Sequence, residues 1–342
     1  MPLTTYAPKK FTPAHEDVIA KANSIIAQYE DAGLTLTLRQ VYYQFVARGW
    51  LPNRQNEYKR LGEILNDARM AGRVDWEAMV DRTRNLRAIG HHKTPADLIE
   101  AASKTFHPDL WLGQHQHVEV WIEKDAAIGV VENVCRTNDV GYFSCRGYTS
   151  QSEMWAAAQR LRFAIEDGNV VTILHIGDHD PSGLDMSRDI EDRLRTFIHM
   201  DWAGLHMGPG QHTRGRIKAS MREHLRSQGA AISDADDPWR VKRIALNADQ
   251  IETYSPPPNP AKQTDSRFAR YAEETGLDES WELDALDPFV LQDLIQDEIE
   301  AVRDEDKWQD ALEAMRTERR TLAEVHKNWK RIAEVHRPKS ED

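Results

Sequence analysis

The chain has 342 residues, enough for two or three domains. Its net charge of −12 speaks against bulk attraction to nucleic acid, and no apolar run approaches the ~20 residues that span a bilayer. The opening MPLTTYAPKKFTP has no apolar signal core, and two cysteines, Cys135 and Cys145, exclude a disulfide framework or a four-thiolate zinc site, so a cytoplasmic protein is expected.

From about 13 to 32, Val18, Ile19, Ala22, Ile25, Ile26 and Tyr29 recur on one stripe and predict an amphipathic helix. Thr37 and Gln40 make a capping-box pair for a second helix over 37–48, stopped by Gly49. A third helix is predicted over 56–71, ending near Gly72. Charge is uneven along this region: Arg39 to Lys93 holds 11 Lys and Arg against 6 Asp and Glu. Three short basic helices suit a winged helix-turn-helix, although a plain helical bundle with a solvated face fits the same pattern. Arg48, Lys59, Arg60, Arg69 and Arg73 are the candidate DNA contacts.

The second helix carries chemistry. Leu38, Val41, Tyr42, Phe45 and Val46 form its apolar face, which puts Tyr42 in the core. Tyr43 lies about 100° further round and is expected to be exposed. Arg39, four residues earlier, shares its face. A guanidinium beside a phenol favours the phenolate and can fork onto a phosphate, which suits nucleophilic attack on a phosphodiester. The same i, i+4 pair is also a common packing contact.

Residues 88–115 lack periodicity and read as a connector. The expected division is a DNA-binding domain at 1–95, a linker at 96–115 and a second domain at 116–342. Strand-like runs at 117–123, 140–145 and 170–176 alternate with helix-like runs at 125–137, 151–166 and 183–198, implying a parallel sheet covered on both faces. Residues 201–239 show no assignable pattern, and the prolines of 255–267 exclude a helix there. Beyond Pro288 the chain reads as helical, with Trp308, Leu312, Met315, Leu322, Trp329 and Ile332 as an internal packing seam.

Glu123 ends one predicted strand, and Asp178 and Asp180 follow another in Gly177-Asp178-His179-Asp180-Pro181-Ser182-Gly183. Carboxyl ends of neighbouring parallel strands converge in one crevice, and an all-oxygen set there suits Mg²⁺ better than Zn²⁺. His179 is expected to point away or to touch phosphate. No Gly-Lys dipeptide occurs, so a P-loop is excluded.

Three motifs, Leu38-Arg39-Gln40-Val41-Tyr42-Tyr43, Val120-Trp121-Ile122-Glu123-Lys124-Asp125-Ala126 and the Asp178-His179-Asp180 turn, together resemble the A subunit of topoisomerase VI and its relative, the meiotic double-strand-break protein. The resemblance covers roughly 35–290. It implies an α/β chain, with a catabolite-activator-like winged helix followed by a Toprim domain and a helical C-terminal extension. Tyr43 would be the nucleophile, forming a 5′-phosphotyrosyl link with help from Arg39. Glu123 would serve in acid/base work, and Glu123, Asp178 and Asp180 would hold Mg²⁺. The partners implied are duplex DNA, a second copy whose tyrosine meets the acids of the first, and a separate ATPase B-type subunit. The acidic chain and its lack of an ATPase part depart from that pattern. Residues 262–286, with Lys262, Asp265, Arg267, Glu282 and Asp284, also resemble stretches of compact relatives; a place near the site for Glu282 or Asp284 is the lesser reading, and surface acids are expected. Two other readings share these motifs: a Toprim nuclease that uses water with Tyr43 structural, and a non-catalytic DNA-binding module.

Overall fold

The computed structural model describes residues 5–76, 78, 79, 91–210 and 212–336. Three helices open the chain. Thr12 caps α1 (Pro13–Glu30) through the His15 N–H, with proline at the first helical position where no donor is lost. The predicted capping box of Thr37 and Gln40 starts α2 (Leu38–Ala47), and α3 spans Gln55–Met70. Ile19, Ala22, Ile25, Tyr29, Val41, Phe45, Leu61 and Leu65 share one core. An isolated parallel bridge joins Leu36 to Met79. The residues where a wing would fall, 80–90, lie outside the described residues, as do Arg82, Arg84 and Arg87 of the basic stretch.

The chain divides into two compact units, Met1–Arg84 with His117–Ala301, and Asn85–Gln116 with Val302–Asp342. The stretch expected as a linker therefore belongs to the smaller unit. It carries α4 (Pro95–Thr105), opened by a Thr94–Asp97 capping box.

The larger unit holds the expected parallel sheet. Its elements run β1 (Gln116–Ile122), α5 (Ile128–Thr137), β2 (Gly141–Ser144), α6 (Gln151–Glu166), β3 (Val170–Ile176), α7 (Pro181–His206), α8 (Arg214–Ser227) and β4 (Trp239–Ala245). The strand order is β2-β1-β3-β4, with β1–β2 and β3–β4 pairing in parallel. Trp121, Val171, Ile173, Leu161, Leu194, Ile198 and Trp202 pack in one core under α6 and α7. The order reverses between β1 and β3, and at such a switch point the connections leave to opposite sides and open a crevice at the strands' carboxyl ends. Glu123 and Asp178 stand at that crevice because each directly follows, or nearly follows, one of these two strands.

β4 was not predicted. It is an edge strand, and its outward Arg240 and Lys242 break the apolar run that marks the central strands. Lys242 reaches Glu298 at 2.5 Å.

After α9 (Ala248–Tyr254), β5 (Asn259–Pro260) pairs antiparallel with β6 (Glu279–Ser280), with α10 (Phe268–Thr275) between them. Trp281 then bridges His179, their backbones exchanging bonds of 2.8 and 3.0 Å. A 3-10 turn follows at Leu283–Ala285, and α11 (Pro288–Glu300) closes the unit. This return path lays residues 281–286 against α2.

In the smaller unit α4 packs along α12 (Glu305–Lys327), which is followed by α13 (Trp329–His336). Trp308 and Met315 of the predicted seam are buried, and Trp111 and Trp308 lie 5.9 Å apart. Among the described residues no helix is long and apolar enough to cross a membrane.

Candidate active site

Tyr43 is 3 % exposed, against the expectation of an exposed phenol. The reason is that Tyr43 joins the helical core along with Tyr42; the returning segment adds Ala285 to that core, and Gln40 and Gln44 are buried as well. Tyr42 is in the core as expected, but its hydroxyl is tied to the following turn: it accepts from the Arg54 N–H at 2.8 Å and lies 3.1 Å from the Arg54 carbonyl oxygen.

Tyr43 borders a cavity of about 220 Å³ lined also by Arg39, Arg54, Tyr58, Asn259 and Glu282. Burial raises the pKa of its phenol and the charge of Glu282 raises it further, while the neighbouring Asn259 and Arg39 pull it back. Asn53 orients Asn259 through a 2.7 Å bond.

Arg39 connects the phenol to the acids. Its Nη2 donates to Glu282 Oε2, and its Nε lies 3.4 Å from Asp284 Oδ2. Lys124 lies on the far side of Glu282. Its ammonium pairs with Asp178 Oδ2 and lies 3.5 Å from the same Glu282 oxygen. Burial works against the charges of Lys124 and Arg39, but the surrounding carboxylates more than offset it and raise both pKa values. One ion-pair network, Asp178–Lys124–Glu282–Arg39–Asp284, thus joins the sheet's carboxyl edge to α2 within a single chain.

The expected acids lie at the crevice, each with its own protein partner. Glu123 accepts from the Asp178 N–H at 2.9 Å, and burial next to Asp178 pushes its pKa up to about 7. Asp178 accepts from the Leu283 N–H at 2.9 Å, and burial raises it despite Lys124. Asp180 turns to the start of α7, accepting from the Gly183 N–H at 2.6 Å and Ser182 Oγ at 2.9 Å. Asp284 is buried with neither carboxylate oxygen hydrogen-bonded, and burial pushes it up to about 6.

The donor set is all oxygen, as Mg²⁺ prefers. The arrangement does not fit the ion: Asp180 is taken up by its helix, and an ammonium stands between Asp178 and Glu282. Among the described residues no group of three or more His, Cys, Asp or Glu side chains is placed to hold a metal ion. His179 is 3 % exposed, with Nδ1 3.0 Å from the Leu246 carbonyl oxygen, and it faces Tyr271 and Trp281.

Two groups without an assigned role in the sequence organise this crevice. Arg243 on β4 is half-buried, with its guanidinium turned inward; desolvation there lowers its pKa to about 10, and it donates to the carbonyl oxygens of Gly177, Asp178 and Gly183 at 2.8, 2.6 and 3.0 Å. Lys124 is the other, as described above. The only sequence signal for Arg243 is a basic residue at an inward position beside Ile244 and Ala245.

The candidate DNA contacts differ in exposure and in partners. Lys59, Arg60 and Arg73 are exposed, although Arg60 lies 3.3 Å from Glu57. Arg48, Arg69 and Arg73 have internal partners: Arg48 reaches Gln28 at 3.0 Å, Arg69 holds the Trp76 and Met79 carbonyl oxygens, and Arg73 forks onto Glu16 at 2.9 and 2.7 Å.

No family model, curated protein or solved structure matches the chain. The chemistry of the site therefore rests on its residues and on the motif resemblance.

Proposed function

We propose that the chain binds duplex DNA and cleaves it by transesterification, with Tyr43 as the nucleophile, in the manner of the type IIB topoisomerase A subunits it resembles. The observation that carries this reading is that Arg39 and Tyr43 line one cavity with Glu282, to which Arg39 is paired beside the strand-end acids. Residues far apart in sequence thereby share one cavity edge where a phosphodiester can be attacked.

In the step proposed, Tyr43 Oη bonds to phosphorus as the bond from phosphorus to the 3′-oxygen breaks. The phenol gives up its proton and the 3′-oxygen takes one. The products are a 3′-hydroxyl and a 5′-phosphotyrosyl end. Arg39 orients the phenol and neutralises charge on the phosphate. Glu123, raised to about 7, can hold or release a proton near neutrality, as general acid–base work requires. No step runs through Mg²⁺, since Lys124 occupies the gap between Asp178 and Glu282. Two copies of the chain, one per strand, would give a double-strand break; a separate ATPase subunit would be needed only for duplex passage.

One observation favours a second reading. Tyr43 is 3 % exposed, which suits a structural phenol in a nuclease that uses water. The two separate when supercoiled plasmid is incubated with the protein, with and without Mg²⁺, and then denatured. Protein joined to 5′ ends that disappears in Tyr43→Phe supports transesterification. Free ends from an active Tyr43→Phe variant support hydrolysis.

A further inference from the structure

Arg39 and Lys124 each have two carboxylate partners, and the partners differ in kind. Each cation has a deeply buried one, Asp284 for Arg39 and Asp178 for Lys124, with side chains 1 % and 6 % exposed. They share the other, Glu282, whose side chain is 25 % exposed and borders the Tyr43 cavity. Both cations meet the same oxygen, Oε2.

We propose that Arg39 and Lys124 form the seat for the scissile phosphate, and that the Glu282 carboxylate occupies this seat in the free protein. The proposal rests on the DNA-cleaving reading above. A phosphodiester and a carboxylate each carry one negative charge and offer oxygens to the same donors, so one replaces the other without changing the net charge of the network. Because Asp284 and Asp178 stay in place during the exchange, both cations remain positioned while Glu282 swings towards solvent. Lys124 then becomes a catalytic residue that touches the phosphate, and Glu282 a competitor that neutralises both cations until DNA arrives. The buried acids are not suited to that part, since their side chains are almost fully enclosed while that of Glu282 is not.

The test is duplex binding in a Tyr43→Phe background, where no cleavage complicates the equilibrium, read by anisotropy of a labelled duplex across a salt series. Glu282→Gln removes the competing charge and keeps the shape, so binding tightens by about fivefold, the factor an ion pair of this exposure carries. Lys124→Met removes one phosphate contact, so the slope of log K against log salt becomes shallower by about 0.9. Lys124→Arg keeps the charge and restores the slope, which guards against loss of fold in the methionine variant. Unchanged or weaker binding in Glu282→Gln, or a slope unaffected in Lys124→Met, overturns the seat while leaving DNA cleavage by Tyr43 standing. Absence of DNA binding in all these proteins overturns both.

Discussion

The guanidinium of Arg39 bonds directly to the carboxylate of Glu282, 243 positions further along the chain. This contact, with that of Arg39 to Asp284, fastens α2 to the segment that returns from the sheet. Their side chains are 42 % and 25 % exposed, so solvent screens much of the attraction. A double-mutant cycle with Arg39→Met and Glu282→Gln, followed by urea unfolding, is expected to give a coupling of about 1 kcal/mol. Additive effects of the two changes would mean that α2 and the 281–286 segment are not joined in this way.

Two glycines make the crevice possible. A Cβ on Gly183 would collide with the Asp178 carbonyl oxygen, which is backbone and has little freedom to retreat. A Cβ on Gly177 would come within 2.7 Å of Glu123 Oε2, the oxygen that receives the Asp178 N–H. Gly183→Ala is expected to cost more than about 2 kcal/mol in chemical denaturation, the overpacking penalty of a site that must shift backbone. Gly177→Ala is expected to be milder and to disturb the Glu123 hydrogen bond first. Equal tolerance of both would argue against so close an approach of the two strand ends.

Much of this was readable from short-range patterns. The Thr37–Gln40 box, the apolar face of α2, the central strands and the strand-end positions of Glu123 and Asp178 all depend on neighbours a few residues away, and each stands where the pattern put it. The burial of Tyr43 could not be read this way, because distant residues such as Asn259, Glu282 and Ala285 help to enclose it, and periodicity within α2 contains no information about them. The role of Lys124 was hidden for a similar reason: its partners come from β3 and from the returning segment. Arg243 was missed with its strand, since charged residues in an edge strand mask the apolar pattern that reveals a central one. Asp180 was read as a possible ligand by its spacing from Asp178, yet the same spacing places it before Pro181 as the cap of α7.

Arg243 is expected to be the side chain whose loss most damages the crevice. It gathers carbonyl oxygens from the turn after β3 and from the start of α7, and it also donates to Ser187 Oγ at 2.9 Å. Arg243→Met removes this shared donor, leaving Gly177 only the Leu246 N–H, at an expected cost of about 1–3 kcal/mol. Arg243→Lys should recover little, because one ammonium cannot span acceptors that a planar fork serves at once. Thermal unfolding of the three proteins gives the order wild type, then lysine, then methionine, with the last two close together. A lysine variant as stable as wild type would show that charge alone, and not the fork, is what the turn requires.

His175 supplies a pH-dependent contribution that can be isolated. It is fully buried on β3, with Nδ1 2.8 Å from Ser187 Oγ, and burial, aided by the nearby charge of Arg243, lowers its pKa from 6.5 to about 3. Between those two values the unfolded chain binds a proton at this position and the folded chain does not. Stability from His175 is therefore complete above about pH 6.5 and is lost as pH falls towards 3, at up to about 1.4 kcal/mol per pH unit. Glu123 and Asp284 act in the opposite sense: their raised values make stability fall as pH rises towards about 7 and about 6, so the total profile of the wild type blends the two trends. Comparison with His175→Leu removes that ambiguity, because both proteins keep Glu123 and Asp284 and Ser187 retains its bond from Arg243. The stability difference, wild type minus variant, is expected to be level above pH 7 and to fall steadily from pH 6 to pH 4 in urea titrations. A difference that stays flat over that interval would place His175 in contact with solvent or with an acid, and would remove the dry interior of β3 from the account of the site.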